Sequence, residues 1–171
     1  MSRDLTKGNI FHELLIMSIP TMIGFSFQMF YGIVDIFWIG KISSEAIAGV
    51  TIFTTIFWVI ESLNEIIGVS SISLISQSFG KNDIERTNRA IEQTITFKFI
   101  VAFIAAILLS FFLKPVMGIF AETHVVNLGL EYGYIRLFFL PIMFSSFSAN
   151  TALRCIGDAK TPMIIMIITS I

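Results

Sequence analysis

Residues 14–34 read LLIMSIPTMIGFSFQMFYGIV, 21 residues without a charge. A helix needs about 20 predominantly apolar residues to cross the hydrocarbon of a bilayer, so this stretch is long enough for one complete span. Arg3 and Lys7 precede it, as basic residues precede a secretory signal. A signal core runs only roughly 7–15 residues and ends in a small-x-small cleavage site. Here Asp35, Trp38 and Lys41 follow instead. The stretch is therefore expected to be a retained first span.

The rest of the chain carries the same message. Of its 171 residues 55% are hydrophobic and 13% charged, 18 are Phe, and the mean hydropathy is +0.85. A soluble domain carries about 25% charged residues to solvate its surface, so lipid is the expected solvent and partner of this one. The net charge of −1 gives no electrostatic case for nucleic acid. The single cysteine, Cys155, can form no internal disulfide and has no metal-ligand spacing around it. No nucleophile elbow, phosphate loop, zinc signature or paired-histidine motif is present, so no enzyme is expected. His12 and His124 fall at different depths and share no site.

Four complete spans are predicted, at about 14–39, 46–77, 94–113 and 126–153, with an incomplete fifth over 162–171. The fold class is all-α, a polytopic membrane helical bundle. Pro162 suits a first helical turn, where its missing N–H is not needed. Ten residues rise only about 15 Å, half a bilayer, so the chain is expected to be truncated. Lys98 and Lys114 flank the third span and are expected to snorkel to its interfaces. Met163 and Met166 read as lipid-facing. Asn82, with Glu85 three residues on, predicts the cap of a short amphipathic helix over 82–91 lying on the membrane, with Ile84 and Ile91 on one face and Arg86 and Arg89 towards anionic headgroups. Lys81, Arg86 and Arg89 follow span two, and Arg154 and Lys160 follow span four. Only Lys41 and Lys114 stand on the other side. The positive-inside rule then places the N-terminus in the cytoplasm.

Ionisable residues inside spans are costly and read as functional candidates. Gln28, Tyr31 and Asp35 are spaced three and four apart and share one helical face. Their amide, phenol and carboxylate could cradle a proton or a small hard cation such as Na⁺; Asp35 beside Trp38 at the outer interface is the plainer alternative. Glu61, Asn64 and Glu65 share a face of span two and are read either as the polar lining of a central cavity or as a hydrogen-bonded pair against another helix. Arg136 falls at a depth similar to Asp35. An ion pair is possible there, though a structural role with the side chain snorkelling outward is the favoured reading. Pro20 removes one helical hydrogen bond from span one and is a candidate hinge, as Pro141 is in span four.

These residues resemble a known family. The order Pro20, Asp35 and then GKISSEAIAGV (40–50) is similar to the first span and outer loop of the multidrug and toxic-compound extrusion (MATE) family. SQSFGKND (76–83), YIRLFFLP (134–141) and above all LRCIGDAKTP (153–162) are similar to segments at its second, fourth and fifth spans. The resemblance implies a twelve-span protein in two six-helix lobes, of which this chain would be a partial N-terminal lobe, inactive alone without the remaining C-terminal part. It implies a cation-coupled antiporter, driven by H⁺ or Na⁺, exporting amphipathic and often cationic organic compounds across the cytoplasmic membrane, with Asp35 in the place of the family's functional aspartate. Its partners in a cation site, an Asn and an Asp in span five, would follow Ile171. A lipid-linked oligosaccharide flippase of the same superfamily or a non-transporting scaffold are the alternatives. The acidic bias of the intramembrane charges favours a cationic substrate over the flippase, and a scaffold has no need of them.

Overall fold

The computed structural model describes residues 9–170. Arg3 and Lys7, counted above for orientation, lie outside them. The described residues form five helices: α1 (Ile10–Gly40), α2 (Ser44–Gly80), α3 (Ile84–Met117), α4 (Thr123–Cys155) and the short α5 (Lys160–Thr169). The expected all-α class is what is found, and four helices are long and apolar enough to cross a membrane. The shortest of the four, α1 with 31 residues, reaches about 46 Å at 1.5 Å per residue. The hydrocarbon is about 30 Å thick, so each long helix overshoots it at its ends.

The structure overturns the prediction made for the start of α3. The separate surface helix over 82–91 does not exist: α3 runs unbroken from Ile84. Residues 84–95 contain neither Gly nor Pro to interrupt it, and Thr87, Ala90 and Lys98 form one buried stripe at helical spacing. The cap is Asp83, not Asn82. The Arg86 N–H donates to Asp83 Oδ1 at 3.0 Å, and Glu85 pairs with Arg89. Asn82 has φ +58° and terminates α2.

The chain divides into two compact units. The first comprises the described parts of Met1–Val34, Gly68–Ile95 and Ser146–Ile171, the second Asp35–Ile67 and Thr96–Ser145.

In the first unit the core is small-sided, with Ile75, Ala90 and Ala152 buried together and Ile91, Cys155 and Ile156 against them. Met166 does not face lipid as predicted. It is buried, and a Cβ built on Gly24 would lie 2.9 Å from its sulfur, so a glycine in α1 makes room for α5. Both helix–helix turns of this unit share one geometry. Asn82 N–H donates to Phe79 O and Asp83 N–H to Ser78 O; Gly157 N–H donates to Arg154 O and Asp158 N–H to Leu153 O. Gly157 has φ +83°. In each turn a left-handed residue satisfies the last carbonyls of one helix and the following aspartate caps the next. Asp158 Oδ1 accepts from the N–H groups of Lys160 (3.1 Å) and Thr161 (3.0 Å), and Oδ2 accepts from the Thr161 hydroxyl at 2.8 Å. The Thr161 N–H, then its hydroxyl, hold the Asp158 carboxyl below the ordinary carboxylate range.

In the second unit the core is large and aromatic: Phe53, Phe57, Ile60, Leu113, Met117, Leu137, Leu140 and Phe144 are buried together. Helices α2 and α4 meet there backbone to backbone. A Cβ on Gly49 would fall 2.5 Å from Val125 O, and one on Gly129 would fall 2.5 Å from Gly49 O. Gly133, one turn on, leaves room for the Phe53 ring. Small residues four apart allow such close approach between membrane helices, where packing replaces the hydrophobic effect as the source of association.

Candidate functional site

The close contact at Gly49 and Gly129 sets which side chains of α2 and α4 follow it into the second unit. On α2 these are Phe53, Phe57, Glu61 and Asn64, at helical spacing; on α4 they are Tyr132 and Arg136, one turn apart. The Tyr132 ring meets Phe53 edge-on with centroids 5.9 Å apart, which fixes the phenol. Its hydroxyl donates to Asp35 Oδ2 at 2.9 Å. The Arg136 guanidinium lies 4.6 Å from the Phe57 ring centroid and 5.8 Å from that of Tyr132, close enough to act electrostatically on the Tyr132 phenol. It does not snorkel outward as predicted, because two aromatic faces hold it by cation–π attraction and Glu61 is its acidic neighbour.

Below Arg136 the groups of α2 meet a third helix. Glu61 lies within electrostatic reach of Arg136, Asn64, Glu65 and Lys98. Lys98 does not reach an interface: its side chain is only 1% exposed and faces Glu65 and Glu61. The snorkelling reading of Lys98 is thus corrected. The two glutamates supply a counter-charge that flanking sequence does not reveal. Asn64 is equally buried, and its Oδ1 has no hydrogen-bond partner. Glu65 lies on the exposed side of the same turn.

The second unit therefore holds a continuous series of ionisable groups, Asp35, Tyr132, Arg136, Glu61, Lys98 and Glu65. Three carboxylates stand against two cations, a formal excess of one negative charge, which is the charge of one proton or one monovalent cation. Gln28 and Tyr31 belong to the first unit and are exposed. Pro20, also in the first unit, sits inside an α1 that continues through it. Tyr132 is the residue that sequence reasoning missed. The same depth argument that placed Arg136 near Asp35 applies to it one turn earlier on the same face.

Comparison with known proteins agrees with this architecture. The MatE family profile matches residues 20–171. The chain is 26% identical to Probable multidrug resistance protein YoeA of Bacillus subtilis over its whole length. It is 30% identical to Probable multidrug resistance protein YpnP of the same organism, over 94% of this chain. A crystal structure of MATE in the bent conformation superposes with a TM-score of 0.86 and 27% identity over 95% of the chain. The chain spans 37% of YoeA, 36% of YpnP and 37% of that crystallised protein.

Proposed function

The chain belongs to the MatE family, and from that premise we propose that its spans serve a cation-coupled antiporter that exports amphipathic, often cationic organic compounds. It acts with a further portion of transporter, in keeping with relatives about 2.7 times its length. The multidrug resistance named for YoeA and YpnP and the acidic excess of the second unit support this substrate class. On this reading the chain lies in the cell membrane with its N-terminus cytoplasmic, which the basic residues Lys81, Arg86, Arg89, Arg154 and Lys160 after the second and fourth spans support.

Asp35 is the coupling carboxylate, and the observation that carries this is the 2.9 Å bond from Tyr132. A carboxylate held at one oxygen by a phenol, with a guanidinium beside that phenol, has a defined position while no cation is on it. Its spare oxygen can take H⁺ or Na⁺. Uptake removes the charge that Tyr132 and Arg136 are oriented towards and so favours a different arrangement of these helices. The coupling ion can move that equilibrium only by its differential affinity for the two arrangements. Pro20, where α1 lacks one internal hydrogen bond, is the proposed hinge.

Reconstitution of the intact transporter in liposomes tests the reading. A pH or Na⁺ gradient is expected to drive an organic cation against its own concentration, and Asp35→Asn is expected to abolish that movement without loss of folded protein. Undiminished uptake by the variant removes Asp35 from the mechanism.

A further inference from the structure

We propose that Glu61 is a proton-exchange site in its own right, distinct from Asp35, and that its protonated form is held by Asn64 as an acid–amide pair. Asn64 is 1% exposed. It stands three residues after Glu61 on α2, within reach of that carboxyl, and its Oδ1 accepts nothing. A buried amide oxygen without a donor is an unsatisfied state that folded proteins avoid. An O–H would supply the missing donor, and the Glu61 carboxyl one turn earlier on the same helix can provide it. With a proton on Glu61, the amide N–H donates to the carboxyl C=O and the carboxyl O–H donates to Oδ1, so both edges of the amide are satisfied by one partner. No co-reactant is required: hydronium gives up its proton to the Glu61 carboxylate and leaves as water.

The charges facing this carboxylate fit a single exchangeable proton. From α2 itself there is Glu65, from α3 Lys98, and from α4 Arg136. Lys98, fully buried, cannot neutralise two glutamates, and Arg136 is shared with Tyr132 and, through it, Asp35. One proton on Glu61 neutralises the Glu61–Lys98–Glu65 group. The same proton frees Arg136 to act wholly on the Tyr132–Asp35 side, so the two sites are joined by one guanidinium.

Infrared spectroscopy of the purified protein, with the pH stepped, reads the C=O stretch of protonated carboxyls directly and needs no transport. A band that titrates in the wild type, persists in Asp35→Asn and disappears in Glu61→Gln is the expected result. Asn64→Leu, which removes the oxygen acceptor without touching a charge, is expected to weaken the protonation equilibrium about five-fold, the worth of one ordinary hydrogen bond. If the band survives Glu61→Gln, or is lost only in Asp35→Asn, Glu61 is a permanently ionised partner of Lys98 and the proposal fails. Neither outcome bears on whether Asp35 couples export. Should Glu61→Gln not fold, an Asn64→Leu spectrum identical to wild type overturns the proposal by itself.

Discussion

The two units are made from the same four long helices, yet they are held together differently. The first has a core of small side chains, Ala90 and Ala152 against Ile75, and is defined by its turns, where a left-handed residue and an aspartate recur at Asn82–Asp83 and Gly157–Asp158. The second has an aromatic core, a glycine contact between α2 and α4, and every intramembrane charge discussed above. Short-range chemistry organises the first, and the meeting of side chains far apart in sequence organises the second. One unit is defined by its connections and the other by the charges it encloses.

The comparison is broken most severely at its glycines. Gly129→Ala places a Cβ 2.5 Å from the Gly49 carbonyl oxygen and is expected to cost about 3 kcal/mol, the upper range for overpacking. The matching change in the first unit, Gly32→Ala, meets nothing within 4 Å and is expected to be neutral or to stabilise α1 by up to about 1 kcal/mol. Thermal unfolding in detergent separates the two. Equal behaviour would mean that the glycine contact does not hold the second unit together.

Next in size is the phenol. Tyr132→Phe keeps the ring on Phe53 and removes the hydroxyl, which interacts with Arg136 and whose bond to Asp35 is worth about 1.5–3 kcal/mol for a charged acceptor. Gradient-driven export is expected to fall roughly ten-fold or more, whereas Tyr31→Phe in the first unit is expected to have a much smaller effect. A reversed ranking in a liposome assay would move the coupling site to the α1 face that carries Gln28 and Tyr31.

The turns come third. Gly157→Ala forces a Cβ into the left-handed region and is expected to destabilise by about 1–2 kcal/mol. Asn82→Gly, at the equivalent place, should leave stability unchanged or slightly raised, because glycine adopts φ +58° without strain. The same melting experiment checks both, and a neutral Gly157→Ala would show that the two turns are not equivalent.

The smallest effect is the cap. Asp158→Ala is expected to cost about 1 kcal/mol, as loss of an N-cap does. Because the folded carboxyl is held below its ordinary value, its contribution is fully present above the unfolded-state value. It is lost as the pH falls through the lowered folded one. Wild type and Asp158→Ala should therefore differ in melting temperature at neutral pH and converge in acid. A gap that is constant with pH would rule out the ionised cap.

Much of this was legible in sequence because it is local. Hydropathy over 20-residue windows marks the spans within a few residues of α1, α2 and α4, and Gly157, Asp158 and Pro162 announce their turn. Where local signals competed, reading went astray. Arg86 and Arg89 made the start of α3 look like a surface helix, while its buried side, Thr87 and Ala90, carries too few apolar residues to register as a span. Asn82 and Asp83 are both good caps, and only the backbone showed that one ends α2 and the other begins α3. Asp35, Glu61 and Glu65 stood out by being charged in an apolar run, but nothing in their own neighbourhoods identifies Tyr132, Arg136 or Lys98 as the groups they face.

By itself, then, the sequence determined that this chain is a set of membrane-crossing helices with acidic residues inside them, because the cost of a charge in hydrocarbon is a property of each residue and its immediate run. Sequence put Arg136 at the depth of Asp35, but which groups meet those charges was decided by tertiary structure. The partner of a side chain on one helix depends on the rotational phase and depth of the next. Here those are set by a glycine contact that carries no charge and leaves no mark in hydropathy.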